Sequence, residues 1–251
     1  MDAPQATGER LGLIVGSALA LEALPDLAVE GSVSTSLVPT ELGPVRVHDT
    51  GHAAIVYRHH ATDDGYCPAH RIDHRRTIAA LCSAGCNRVL ALASVGSLRG
   101  WPVGTLVAPF DFFAPAVNPS FFDDARGHSI PGFDQRWRDR LLHTWTQVTT
   151  TTLLDGGVYA QTTGPRFETP AEVRMLAAHA DIVGMTVASE CILAREAGLA
   201  YAAVCSVDNL GNGLDDTDLT TDVFHQGVAA NRAQLVADVR ALLPHLATTS
   251  R

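Results

Sequence analysis

The sequence predicts an α/β protein, a single domain over residues 1–251 with a central mixed, largely parallel sheet flanked by helices. Two observations carry this expectation. Short apolar runs alternate with segments of helical spacing along most of the chain, and strands separated by helices pair in parallel because each crossover returns the chain to the same end of the sheet. The 251 residues are 46% apolar, which is enough to bury one full core.

Taken in order, RLGLIVGSAL at 10–19 reads as a buried strand, preceded by a flexible terminus at 1–9. AAIV at 53–56 is a further apolar run that leads into YRHH at 57–60. RIDHRRTIAALCSAG at 71–85 has helical spacing and closes on a glycine. NRVLALASVGS at 87–97 and GTLVAPFDFF at 104–113 are strand-like. Residues 114–135, rich in Pro, Gly and Asp, form a long surface excursion, and loops of that length are often functional. VYAQ at 158–161 begins as a strand and breaks at Gly-Pro before the helical TPAEVRMLAAHA at 169–180. ADIVGMTV at 180–187 and LAYAAVCSVDN at 199–209 are strands around the helical SECILAREAG at 189–198, and 246–251 form a second flexible terminus.

Charge narrows the partners. With 18 Lys and Arg against 27 Asp and Glu, the formal net charge is −9, which argues against a nucleic-acid surface but leaves room for a local pocket for one small anion. Five cysteines, at 67, 82, 86, 191 and 205, read as reduced thiols, mostly core residues, in a cytoplasmic protein. No run approaches the length of a membrane span, and MDAPQATGER has no signal-peptide pattern.

Small and hydroxylated residues gather where strands end: Gly16 and Ser17, Ser94, Gly96 and Ser97, Thr186, and Asp208 with Asn209. Ligands of open α/β sheets bind at the carboxyl ends of strands, and backbone N–H groups and hydroxyls there suit an oxyanion. A glycine-serine pair after a strand is also an ordinary turn. Arg58 adds a permanent, planar cation and His59 a donor. His59, His60, His70 and His74 lie close in sequence, but no carboxylate completes a zinc pattern, so no metal is expected.

These segments carry a family resemblance. GLIVGSAL, YRHH, PAHRIDHRRTIAAL, ASVGSLR, PSFFDDARGHSIPGFD, VYAQTTGPRFETPAE, VGMTVASECILAREAGLAYA and VDN stand in an order that resembles the trimeric purine nucleoside phosphorylase and methylthioadenosine phosphorylase family, over roughly residues 10–245. The resemblance implies a nucleoside phosphorylase-like fold, a homotrimer, and phosphorolysis: a nucleoside and inorganic phosphate, a co-substrate with no further cofactor, give free base and pentose 1-phosphate. It implies phosphate contacts from Ser17, Arg58, His59, Ser94 and Thr186, ribose contacts from Met185, and base contacts from Phe167, Glu168 and Asn209. Asn209, Asp208 and His59 are the residues implied to assist the chemistry.

Family members for 6-oxopurines pair a glutamate with an asparagine at the positions of Glu168 and Asn209, whereas methylthioadenosine phosphorylases carry aspartate at the second. The pair therefore resembles a site for inosine, guanosine or a 5′-modified inosine. A register shifted by one places Asp208 there instead and restores adenine. At the 5′ end, a histidine just before the last helix marks hydroxyl recognition, which His225 matches in one register and Thr220 replaces in another. His128 is implied to close the pocket of a neighbouring subunit. The sequence departs from the family pattern at Val15 and Ala18, where glycines are usual, and at IDHRRT (72–77) and VASE (187–190). A specialised 5′-modified nucleoside, a hydrolase on the same fold, and a nucleoside-binding protein without activity are the alternatives.

Overall fold

The computed structural model describes residues 2–19, 21–59, 65–216 and 218–247. Its eleven strands form one sheet: β1 (Arg10–Val15), β2 (Ser34–Val38), β3 (Val45–Asp49), β4 (Ala54–Tyr57), β5 (Cys86–Ser97), β6 (Leu106–Ala108), β7 (Asp111–Phe113), β8 (Leu153–Asp155), β9 (Val158–Gln161), β10 (Ile182–Gly184) and β11 (Ala200–Leu210). The helices are α1 (His74–Ser83), α2 (Gln135–Val148), α3 (Pro170–Ala177), α4 (Val187–Glu196) and α5 (Thr221–Ala247).

The main path runs β2-β3-β4-β1-β5-β10-β9-β7, and β11 leaves it at β5 to pair with β6, which pairs with β8. Six of the ten pairings are parallel, so the expected mixed, largely parallel sheet is the one observed. β5 is the trunk. It borders β1 over its first half and β10 at its end, while β11 follows it from Arg88 to Ser97.

Side-chain alternation divides the core into two layers. Leu11, Leu13 and Val15 of β1, Leu90 and Leu92 of β5, and Ala202 and Val204 of β11 pack with Trp137, Leu141, Leu242 and Leu243 of α2 and α5. The intervening Ile14, Val89, Ala91, Tyr201 and Ala203 pack on the other face with Ile78, Leu81, Cys191 and Leu193 of α1 and α4. Burial on both faces explains the near-continuous apolar runs of these three strands.

Several expectations are adjusted. GTLVAPFDFF forms two short strands, β6 and β7, rather than one. The 114–135 excursion has no strand or α-helix before α2, but Phe121 is buried and Glu196 accepts from Ser120 Oγ at 2.7 Å and the Phe121 amide at 2.7 Å. Both termini are held beyond their expected limits. The Ala6 amide donates to the Ala197 carbonyl, and Arg88 donates to the carbonyls of Leu246 and Ala247. No helix among the described residues is long and apolar enough to cross a membrane.

The β5–β11 ladder shifts register between Val207 and Asn209, which face Val95 and Gly96. Asp208 is the extra residue, and the bulge re-aims its side chain relative to regular alternation. α5 presses on this point: a Cβ at Gly227 would lie 1.8 Å from the Asp208 carbonyl oxygen. Alanine normally stabilises a helix over glycine by about 1 kcal/mol, but a clash with backbone cannot be relieved by a rotamer change. Gly227→Ala is therefore expected to destabilise the fold by about 1–3 kcal/mol net, read as a lower urea midpoint at unchanged slope.

Candidate active site

The carboxyl ends of β1, β4, β10 and β11, the last residues of β5, and the start of α5 line a cavity of about 550 Å³. Ten of the sequence-derived site residues line it: Ser17, Arg58, His59, Ser94 and Thr186, expected at phosphate, Phe167, Glu168 and Asn209, expected at the base, and Met185 and His225. Asp208 and His128 do not line it.

Arg58 follows β4 and is only 3% exposed. Its Nε donates to Glu190 Oε1 at 2.8 Å, Nη2 to Glu190 Oε2 at 3.1 Å, and Nη1 to the Leu92 carbonyl at 2.7 Å. A fully free fork for an anion is therefore not what this chain presents: one edge of the guanidinium is already paired. Burial disfavours the charges of both partners, yet their mutual attraction prevails, so Arg58 is raised above its ordinary pKa and Glu190 held below its own. Gly16 makes room for this arrangement, since a Cβ there would lie 2.6 Å from Arg58 Nη1.

Thr186 is the N-cap of α4, and its hydroxyl makes no capping bond. The amides of Thr186 and Val187 donate to the hydroxyl of the buried Tyr159, at 3.2 and 3.4 Å, which pins the start of the helix. Its position at the cavity wall adds the positive end of a helix dipole to the anion side. Cys67 O lies 2.9 Å from His59 Nδ1; a carbonyl accepts only, so Nδ1 carries a proton and donates to it. His59 also stacks on Tyr66, with ring centroids 5.2 Å apart.

At the other end, Glu168 is buried and accepts from Thr162 Oγ1 through Oε1 at 2.6 Å. The bond holds one carboxylate oxygen and leaves the second to a donor in the cavity. Asn209 donates through Nδ2 to the Leu210 carbonyl at 2.8 Å. Gly96 permits this, because a Cβ there would lie 2.9 Å from Asn209 Nδ2. Phe167 faces Phe224 at 5.9 Å between ring centroids. Met185 reaches the wall beside Gly164, where φ is +63° and a Cβ would lie 2.5 Å from Met185 Sδ.

The two absences have physical reasons. The bulge turns Asp208 away from the cavity, where its Oδ1 accepts from Ser206 Oγ at 2.8 Å and from Asn231 Nδ2 of α5 at 2.6 Å. Burial pushes its pKa up, against the pull of hydrogen bonds from Ser94, Asn231 and Ser206. Of the two neighbours, Asn209 is the one that lines the cavity. His128 is exposed, at the end of a short 3-10 turn (Ala125–Gly127). Thr220 also drops out, because its hydroxyl accepts from the Val223 amide at 3.2 Å, and His225 lies inside α5 rather than before it.

Sequence reasoning passed over Tyr66, Leu219 and Phe224, which share the wall. It also missed the charge set beneath Arg58. Glu190 is 0% exposed and accepts from Tyr201 Oη at 2.7 Å, and His74 Nδ1 stands 3.7 Å from its Oε1 without a hydrogen bond. Burial pushes the His74 pKa down to about 4, against the pull of Glu190. An imidazole that takes its proton near 6.5 when unfolded then binds more protons in the unfolded chain between those values. Its stability contribution is complete above pH 6.5 and is lost as pH falls towards 4. His74→Phe is expected to flatten this slope, by up to ~1.4 kcal/mol per pH unit, in urea midpoints compared at pH 7 and 5; an identical slope would count against it.

Among the described residues no group of three or more His, Cys, Asp or Glu gathers to hold a metal, and His60 lies outside them. All five cysteines are free, four of them buried.

A model of the phosphorylase superfamily matches residues 10–244. The chain is 36% identical over 211 residues to a probable 6-oxopurine nucleoside phosphorylase of Archaeoglobus fulgidus, covering 83% of this chain and 85% of the relative. It is 35% identical over 209 residues to a probable S-methyl-5′-thioinosine phosphorylase of Methanosarcina acetivorans, covering 79% and 78%. Its fold matches methylthioadenosine phosphorylase from Schistosoma mansoni in complex with adenine, with a TM-score of 0.78 at 22% identity over 94% of this chain and 91% of that one. With the family model spanning nearly the whole chain and relatives above one-third identity, this chain belongs to the phosphorylase superfamily.

Proposed function

We propose that the protein cleaves the N-glycosidic bond of a 6-oxopurine nucleoside with inorganic phosphate, giving free purine and pentose 1-phosphate. One observation carries the reading: a single cavity is lined by Arg58, Thr186, Ser17 and Ser94, whose groups suit an anion, and by Phe167, Glu168 and Asn209, whose groups suit a purine, with Met185 also on its wall. Phosphate set beneath C1′ is both nucleophile and counter-charge. As the C1′–N9 bond breaks, positive charge builds on the ribosyl carbon beside the anion. The bonding electrons leave with the purine, and a phosphate oxygen forms the new C1′–O bond. The remaining Glu168 oxygen accepts from N1–H, and Asn209 bonds to O6 and N7, favouring the departing base. His59 lines the same cavity, and the departing purine anion takes its proton from solvent.

A second reading rests on the 5′ side. His225 there suits a hydroxyl, but Phe224 and Leu219 share the wall and suit an alkylthio group, so 5′-methylthioinosine is the competing substrate; the relative from Methanosarcina acetivorans bears that name. Inosine, guanosine, adenosine, uridine, methylthioadenosine and methylthioinosine, each with and without phosphate, separate the readings. Base release from inosine or methylthioinosine only with phosphate is expected. Equal rates without phosphate would make it a hydrolase.

We further propose a homotrimer, acting in the cytoplasm, in which each pocket is closed by a neighbour. His128 and the 91% exposed Ile130 lie on one outward loop that suits such a contact. Light scattering is expected to give about three chains per particle, and a fully active monomer would contradict the shared pocket.

A further inference from the structure

We propose that Glu190 is a positioning residue for phosphate, acting through Arg58; the inference rests on the phosphorylase reading of the cavity. Arg58 enters the cavity wall from β4, whereas Glu190 comes from the first turn of α4 and touches none of the cavity. The carboxylate takes the Nε and Nη2 edge of the guanidinium, at 2.8 and 3.1 Å, and the Leu92 carbonyl takes Nη1 at 2.7 Å. A planar group held from two sides has one orientation, so the N–H bonds left over point in a fixed direction. Glu190 is itself fixed by Tyr201 Oη at 2.7 Å. His74 fills the remaining side as a neutral ring, 3.7 Å from Oε1.

The arrangement joins two residues that sequence reasoning left unused: His74, one of the departures within IDHRRT, and Glu190, which ends VASE and keeps the glutamate of the family pattern. It also changes the electrostatics of the anion side. Arg58 and Glu190 together are neutral, so phosphate is held by directed N–H and O–H groups and by the end of α4 rather than by an unpaired buried cation. Such contacts depend on orientation, and a side chain ordered before binding does not lose its rotamer entropy on binding.

Glu190→Gln keeps the volume but turns an N–H₂ group towards one guanidinium N–H. The change also frees a positive charge, which alone would attract an anion. Loss of orientation is expected to prevail, because the contacts are short directional bonds. Phosphate titrated calorimetrically into the full-length protein without nucleoside should bind Glu190→Gln at least tenfold more weakly than wild type, with the KM for nucleoside within about twofold. In an Arg58→Ala background the same change should no longer weaken phosphate binding. Tyr201→Phe, which removes one bond to Glu190 and leaves no buried charge unpaired, should weaken phosphate about threefold and carries the test if Glu190→Gln does not fold. Unchanged or tighter phosphate binding in the folded variant overturns the proposal, as does equal weakening with and without Arg58. Wild type that binds no phosphate overturns the reading of the cavity as well, whereas loss in Arg58→Ala alone leaves that reading standing and removes only Glu190.

Discussion

Arg58→Ala is expected to raise the phosphate concentration for half-saturation about a hundredfold or more, while nucleoside binding without phosphate survives. Charge-assisted hydrogen bonds contribute about 1.5–3 kcal/mol each, and loss of even the weaker sum of two corresponds to more than a hundredfold. The geometry adds a second effect. Glu190 is fully buried and loses the Arg58 bonds at both oxygens, keeping only Tyr201 Oη on Oε2, which leaves a buried carboxylate without its counter-charge. Removing one member of a buried pair costs about 3–5 kcal/mol of stability. A lower Tm should therefore accompany the kinetic loss. Phosphate saturation curves at fixed nucleoside, with thermal melts of the same samples, measure both; an unchanged half-saturation would remove Arg58 from the anion site.

Asn209→Asp is expected to shift the ratio of kcat/KM for inosine over adenosine by at least tenfold, about 1.4 kcal/mol of differential transition-state binding. A carboxylate accepts from a 6-amino group and repels a 6-carbonyl, so the first contribution is a loss on inosine. The gain on adenosine is partial for a reason visible in the fold. Asn209 Nδ2 donates to the Leu210 carbonyl at 2.8 Å, and a carboxylate oxygen in its place faces that carbonyl without a proton to share. Glu168 adds to the bias, since its held carboxylate accepts from N1–H of a 6-oxopurine and finds no donor at N1 of adenine. Steady-state kinetics on both nucleosides and their 5′-methylthio counterparts test this. A wild type that prefers adenosine, with a ratio untouched by the substitution, would contradict the placement of Asn209 on the base edge.

The strands that build the site were legible because they are buried on both faces. RLGLIV, NRVLALASVGS and LAYAAVCSVDN are near-continuous apolar runs, and they became β1, β5 and β11. The outer strands β2 and β3 carry exposed or half-buried residues at most alternate positions and offer no such run. The sequence reading sets the last helix after His225, whereas α5 starts at Thr221 and carries Gly227 inside it, pressed on Asp208. Residues that line the cavity at or near strand ends could be found from local chemistry, as Ser17, Ser94, Thr186 and Asn209 were. The Asp208–Asn209 register could not, because it depends on a bulge against β5. Nor could the Glu190–Arg58 pair, whose members are 132 residues apart: within its own segment Glu190 is an ordinary helix residue, and only the fold, which brings Arg58 after β4 to the first turn of α4, gives it a partner.

The most direct test is to incubate the wild-type protein with inosine and with 5′-methylthioinosine in phosphate-free buffer and again with phosphate, following hypoxanthine and the sugar product together. Phosphorolysis predicts hypoxanthine and the matching pentose 1-phosphate in equal amounts, from at least one of the two, only when phosphate is present. Hypoxanthine with free pentose at the same rate in both buffers, or no base released from either nucleoside in phosphate, would contradict it.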